Sequence, residues 1–257
     1  MTYLDSIILG IIQGLTEFLP ISSSGHLVLG QHLLGVKMPG LMYELVVHFG
    51  TLVSVLIYFR KKVYVLLKAL YTPSLKTERL MILYIILGTI PAVIIGLSFK
   101  GPIERAFGSP WAAALFLIFT GIVLLFTSAF EKGIKKINIP RSIIIGFAQA
   151  LAIMPGISRS GMTISAGLFS GVKPIEAAEY SFLLSIPVII GAIIYQGSNI
   201  ISSENGLIGQ YIVGASVSFL VGLFAVYLLL DLIKKGKFKY FGIYCLIIGI
   251  LGVIYFI

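Results

Sequence analysis

The chain has 257 residues, 58% of them hydrophobic and only 11% charged, with a mean hydropathy of +1.05 and a formal net charge of +9. A soluble globular domain averages about 25% charged residues, so the composition excludes a soluble protein, and the length leaves no room for a separate soluble domain beside about six or seven crossings of a bilayer core about 30 Å thick. The lysines fall between the apolar runs, which reads as membrane orientation and not as a nucleic-acid surface.

From Met1 to Ile12 there is no Lys or Arg, so the first apolar stretch does not read as a cleaved signal and is expected to stay in the fold. Residues 4–35 hold two short apolar runs broken by "EFLPISSSGHL", the pattern of a re-entrant hairpin. Spans are then predicted over Leu41–Tyr58, Leu80–Phe99 and Trp111–Phe130. A second broken region, 143–172, is followed by predicted spans over Glu179–Tyr195, Tyr211–Ile233 and Tyr240–Ile257. The expected fold class is an all-α integral membrane protein of six transmembrane helices plus two re-entrant helical hairpins. The single cysteine, Cys245, excludes an intrachain disulfide.

Fifteen of the nineteen cationic residues lie on one side of this layout, in the intervals Arg60 to Arg79, Lys132 to Arg141, Lys173, and Lys234 to Lys239. Lys37, Lys100 and Arg105 fall on the other, and Arg159 lies inside the second hairpin. The bias puts the fifteen in the cytoplasm and both termini outside. Three crossings follow each hairpin, and three is odd, so residues 1–130 and 141–257 are expected to form two oppositely oriented repeats within a single membrane domain, 1–257. The sequence carries the repeat directly: at an offset of 136, Gly10, Gln13, Leu15, Ser22, Ser24 and Gly25 meet Gly146, Gln149, Leu151, Ser158, Ser160 and Gly161.

Within that repeat the informative positions are those where the halves differ: Glu17 against Ile153, Ser23 against Arg159, and His26 against Met162. Two hairpins entering from opposite faces bring their tips together, and a short helix is predicted to start behind each, at about Ser23 and about Arg159. Helix N-termini offer unpaired N–H groups to an anion, and the fork of Arg159 matches phosphate or carboxylate. An ionisable side chain at membrane depth reads by default as functional, which applies to Glu17. Gln13, one turn from Glu17, shares its face. His26, beside the serines, reads as a proton-transfer group. Ser22, Ser24, Gly25, Ser158, Ser160 and Thr163 are candidate ligand contacts, the hydroxyls being equally good as helix caps. Glu44 and His48 read either as the lining of an entrance or as satisfied helix contacts, His32 as structural, and Asp231 as interfacial. There is no Cys/His metal set, P-loop or nucleotide fingerprint.

The two segments "QGLTEFLPISSSGHL" and "PGISRSGMT" resemble the signature motifs of the undecaprenyl-diphosphate phosphatase family, also called the bacitracin-resistance protein family. The resemblance extends over the whole chain in length, hydropathy and motif spacing, with one departure: many members carry Glu where this chain has Gln13. It implies a phosphatase of the cytoplasmic membrane that converts a C55 polyprenyl diphosphate to the monophosphate, recycling the carrier for cell-wall glycan synthesis and conferring bacitracin resistance. It also implies dependence on a divalent cation and a pocket opening outward; Glu17 beside a diphosphate invites a hard, oxygen-seeking cation, Mg²⁺ or Ca²⁺. Glu17, His26 and Arg159 match positions regarded as catalytic in the family, and Ser23 matches a proposed nucleophile. The expected partners are the polyprenyl diphosphate and membrane lipids, with no nucleic acid; a homodimer stays open. The competing expectation is a transporter or flippase for a polyprenyl phosphate or other anion, because inverted repeats with broken helices serve carriers too.

Overall fold

The computed structural model describes residues 1–35, 40–130, 132–197 and 207–256; Lys37 of the charge pattern lies outside them. Two short helices open the chain. Helix α1, Tyr3–Phe18, starts on a reciprocal cap in which Thr2 Oγ1 accepts from Asp5 N (3.1 Å) and Asp5 Oδ2 from Thr2 N (2.7 Å), and it stops before Pro20. Helix α2, Ser23–Leu34, is capped by Ser22 Oγ and ends on Gly35 in the left-handed region. Helix α3, Gly40–Tyr58, bends by 81° into α4, Arg60–Ala69. Then come α5, Lys76–Ser98, the short α6, Lys100–Phe107, and α7, Pro110–Phe126, which a 3-10 turn extends to Phe130.

The second half opens the same way, on α8, Ile139–Leu151, and α9, Arg159–Phe169, capped by Asn138 and Ser158. Helices α10, Pro174–Gly197, α11, Ile208–Lys234, and α12, Lys239–Phe256, complete the chain. Among the described residues five helices are long and apolar enough to span a membrane, and counting the bent pair α3–α4 as one span makes six. The protein is an all-α integral membrane protein. The cation-rich segment after Tyr58, read from sequence as a loop, contains the turned helix α4; its exposed Tyr64 and Leu67 alternate with Arg60, Lys61 and Lys68.

Lipid tails are as apolar as leucine, so spans in a membrane associate through close backbone packing and polar contacts. Glycines provide the close packing here. A Cβ at Gly10 of α1 would lie 2.9 Å from Gly214 O of α11, and one at Gly146 of α8 would lie 2.7 Å from Gly88 O of α5. Helices α7 and α12 meet through Gly121 and Gly242, where a Cβ added to either would lie 2.8 or 2.9 Å from the other's carbonyl oxygen. The halves also repeat a three-residue contact: Gly214 faces Tyr43 Oη and Ser6 Oγ, and Gly88 faces Tyr180 Oη and Ser142 O. Buried hydroxyls join other helices, Ser54 donating to Phe219 O (2.7 Å) and Ser218 to Val47 O (2.9 Å).

The tips between α1 and α2 and between α8 and α9 meet in the interior. Ser22 Oγ accepts from Gly25 N (3.2 Å) and from Gly156 N across the junction (3.1 Å), while Ser160 Oγ donates to Leu19 O (3.1 Å). Gly25 abuts the Gly156 backbone so closely that a Cβ would stand 2.8 Å from Gly156 Cα. Apolar side chains seal the junction, including Phe18, stacked edge-on against Phe182 at 5.6 Å.

Candidate active site

Helix α1 delivers Gln13 and Glu17 side by side at its C-terminal end, both buried, with Gln13 Nε2 donating to Glu17 Oε2 (3.0 Å). The same carboxylate oxygen accepts from Ser23 Oγ at the start of α2 (2.6 Å). Its other oxygen is held by Arg159 Nη2 from the first turn of α9, and His48 Nε2 of α3 stands 3.5 Å from Oε2. One carboxylate thus gathers an amide, a hydroxyl, a guanidinium and an imidazole from four helices. Two buried polar atoms of this group, Arg159 Nη1 and Gln13 Oε1, have no hydrogen-bond partner among the described residues, nor has Glu44 Oε1, one turn before His48. Such groups are costly unless something else satisfies them.

Ser23 and Glu17 have the geometry of a nucleophile and its base, a short O–H···O⁻ bond between an alcohol and a carboxylate. The hydroxyl lies at the N-terminus of α2, and Arg159 at that of α9, so two sets of free N–H groups accompany the guanidinium. Arg159 spends Nη2 on Glu17 and keeps Nη1, a buried donor without a partner inside the protein.

His26 faces elsewhere. Its Nδ1 lies 2.8 Å from Ser22 O and its Nε2 lies 2.9 Å from Tyr244 Oη of α12. The remaining predicted contacts form the frame of the tips. Ser22 and Ser158 cap α2 and α9, and each lies 3.3 Å from the serine two residues on, Ser24 and Ser160. Gly25 makes the close approach to Gly156. Thr163 Oγ1 turns inward, donating to Arg159 O at 2.8 Å and meeting Ser181 Oγ at 2.7 Å. Two participants escaped sequence reasoning. Thr120 of α7 donates to Gly156 O (2.9 Å) and accepts from Ser158 N (3.1 Å), clamping the second tip, and Tyr244 holds His26. Both sit in uninterrupted apolar runs, where a lone Thr or Tyr gives no signal. His48 was visible in sequence only as one of two options, and its approach to Glu17 places it at the site. His32 bonds to Val28 O and packs edge-on against Phe256.

Over residues 6–251 the chain matches the family described as Bacitracin resistance protein BacA. It belongs to that family. Three similar proteins, each named undecaprenyl-diphosphatase, come from Carboxydothermus hydrogenoformans, Korarchaeum cryptofilum and Elusimicrobium minutum. All are 40% identical to this chain; the alignments cover 97%, 97% and 99% of it and 96%, 98% and 98% of the respective relatives. The two motifs, 13–27 and 155–163, both fall within the span matched to the BacA family.

Proposed function

We infer that the chain is an undecaprenyl-diphosphate phosphatase, removing the terminal phosphate of a C55 polyprenyl diphosphate to return the monophosphate carrier to cell-wall glycan synthesis, an activity that confers bacitracin resistance. The observation that carries this reading is the Ser23–Glu17–Arg159 constellation: an alcohol bonded to a carboxylate, beside a guanidinium with one buried donor still unspent. A carrier would need the anion-binding groups but not a hydroxyl paired with a base.

Phosphoryl transfer asks mainly for positioning and for stabilisation of charge on the equatorial oxygens. Ser23 Oγ, or a water in its place, attacks the terminal phosphorus while its proton passes to Glu17 Oε2. The bond from phosphorus to the bridging oxygen breaks, and that oxygen leaves with the lipid monophosphate. Where Ser23 attacks, a water then adds to the phosphoserine phosphorus, the Oγ–P bond breaks, and inorganic phosphate leaves as the serine regains its proton. Arg159 Nη1 and the N–H groups at the starts of α2 and α9 receive the phosphoryl oxygens. His26 exchanges a proton with the leaving group, because its ring does not bond to Ser23. The diphosphate reaches the tips laterally, with its tail between helices.

A divalent cation, Mg²⁺ or Ca²⁺, fits the donor set, since Gln13 Oε1 is an unpartnered acceptor beside Glu17. Glu17 and Gln13 would hold it. No group of three His, Cys, Asp or Glu residues able to enclose a metal occurs among the described residues, so the diphosphate would supply further oxygens, as it commonly does for Mg²⁺. When bound, the cation supplies charge neutralisation on the phosphate oxygens.

The charge bias supports a place in the cytoplasmic membrane with the site opening to the outer side. The paired contacts of Gly10 with α11 and Gly146 with α5 support two inverted repeats, 1–130 and 141–257. The deciding experiment uses purified protein in detergent, where there is no second compartment. Undecaprenyl diphosphate should release inorganic phosphate and the Glu17→Gln variant should not, while Ser23→Ala decides the nucleophile: loss of release assigns it to the hydroxyl, retained release to water. A pure, folded protein that binds the lipid and releases no phosphate would return the reading to transport.

A further inference from the structure

A group that gains and loses a proton in every turnover needs a partner that tolerates both of its charge states. We propose that Tyr244 is the positioning residue of His26, holding Nε2 in place whether the imidazole is neutral or protonated and passing the exchanged proton on: as the leaving oxygen takes the phenol hydrogen, Nε2–H gives its own to Oη, because Nδ1 is spent on Ser22 O. The proposal rests on the reading of His26 as the proton-exchanging group of a diphosphate hydrolase.

The tautomer follows from the first contact. Nδ1 lies 2.8 Å from Ser22 O, and a carbonyl can only accept, so Nδ1 carries hydrogen. Nε2 is then an acceptor in the neutral ring and a donor in the imidazolium. Tyr244 Oη lies 2.9 Å from it, and a phenol hydroxyl can donate to the first form and accept from the second. The two rings are nearly parallel, at 8° with centroids 5.6 Å apart, which fixes the imidazole plane as well as its edge. By contrast, Tyr43 and Tyr180 donate to backbone carbonyls, Ser6 O and Tyr84 O, each at 2.6 Å.

The support behind Tyr244 is rigid. Helix α12 lies against α7 at backbone contact, a Cβ at Gly242 falling 2.9 Å from Gly121 O and one at Gly249 falling 2.8 Å from Ala114 O. Helix α7 is also the element whose Thr120 clamps the second tip. Tyr244 and the tip are therefore registered on one frame, which is how a reacting group is held to within a fraction of an ångström. The ring is partly exposed on α12, a helix long and apolar enough to span a membrane. A hydroxyl there costs free energy unless it finds a partner, and His26 is that partner.

The test is a double-mutant cycle with a spectroscopic readout. Tyr244→Phe should lower kcat on undecaprenyl diphosphate by about tenfold to a hundredfold, with KM changed by less than about threefold. In a His26→Gln background the same substitution should cost less than about twofold, because the residue it serves is already gone. In protein labelled with ¹⁵N-histidine, which has three histidines, the His26 Nε2 resonance should shift in Tyr244→Phe while those of His32 and His48 stay put and report an intact fold. If they move, Tyr244→Gln, which keeps a donor and an acceptor, takes over the test: it should retain more of kcat than Tyr244→Phe, and an equal loss in both would overturn the proposal. Wild-type kcat in Tyr244→Phe, an undiminished cost in the His26→Gln background, or an unmoved Nε2 resonance would each overturn the proposal. Wild-type turnover in His26→Gln alone would instead overturn the proton-exchange reading, and the Nε2 resonance then decides positioning by itself.

Discussion

Ser22 of the first tip accepts a hydrogen bond from the backbone N–H of Gly156 of the second, 3.1 Å away, and does so from a conformation that side chains avoid. Its φ is 69°, the one positive value at a non-glycine position among the described residues. Residues held this way persist only where their surroundings over-determine them, and they gather at functional sites. The bonds to Gly25 N and Gly156 N supply that determination here.

Ser22→Ala should therefore cost more than a helix cap. It leaves two buried N–H groups without acceptors, roughly 1–3 kcal/mol for each that water cannot reach. The expected result is a lower unfolding midpoint in detergent together with loss of most phosphatase activity. An unchanged midpoint would remove Ser22 from the junction.

Arg159→Lys should insert and fold but lose at least about a hundredfold in kcat, comparable to Arg159→Ala. A lysine can pair with Glu17, but it has no second fixed nitrogen to stand where Nη1 now lies buried and unspent. Losing one well-aimed donor to transition-state charge costs about 3 to 4 kcal/mol. Steady-state kinetics on the purified variant decide it, and near wild-type turnover would assign Arg159 to the scaffold.

Chelation should abolish turnover and added Mg²⁺ or Ca²⁺ restore it. Direct calorimetric titration of the cation into protein with a bound diphosphate should show binding that Glu17→Gln removes. Full activity in excess chelator, with metal removal confirmed, would leave Glu17 as a base alone.

Gly146→Ala puts a methyl group 2.7 Å from Gly88 O and 3.0 Å from its Cα, contacts that only backbone movement relieves. Forced overpacking costs about 1–3 kcal/mol, more than alanine's helix preference returns. Gly191→Ala, with nothing within 4 Å of the new methyl, is the control and should be neutral or stabilising. Thermal unfolding of both in one detergent checks the pair.

Orientation is checked by labelling. With Cys245 replaced, single cysteines at Lys61 and Lys135 should resist an impermeant thiol reagent in intact cells, while one at Ser203, which lies outside the described residues, should react. Reaction at Lys61 from outside would overturn the inverted-repeat proposal.

The starts of α2 and α9 were legible because Ser22 and Ser158 announce a cap directly after a proline-broken run, and both helices begin where expected, at Ser23 and Arg159. The six long apolar runs were legible from length alone. Helix α4 was not, since its lysines read as a loop until its 81° turn from α3 is seen. The meeting of Glu17 and Arg159 followed from hairpin geometry, whereas the turning of His26 away from Ser23 could not, because it depends on where α12 packs. Periodicity finds helices; it does not say which apolar helix lends a hydroxyl to its neighbour.

Glu17, Ser23 and His26 precede the midpoint of the chain, and Arg159 and Tyr244 follow it. The glycine–tyrosine contacts that build the frame occur in both halves, but the reacting groups occur once, each on its own side. Inheritance of the frame is thus redundant while inheritance of the chemistry is not. Two polypeptides ending and beginning near residue 131 should each be inert and, expressed together, should complement one another, whereas two copies of either fragment should never do so.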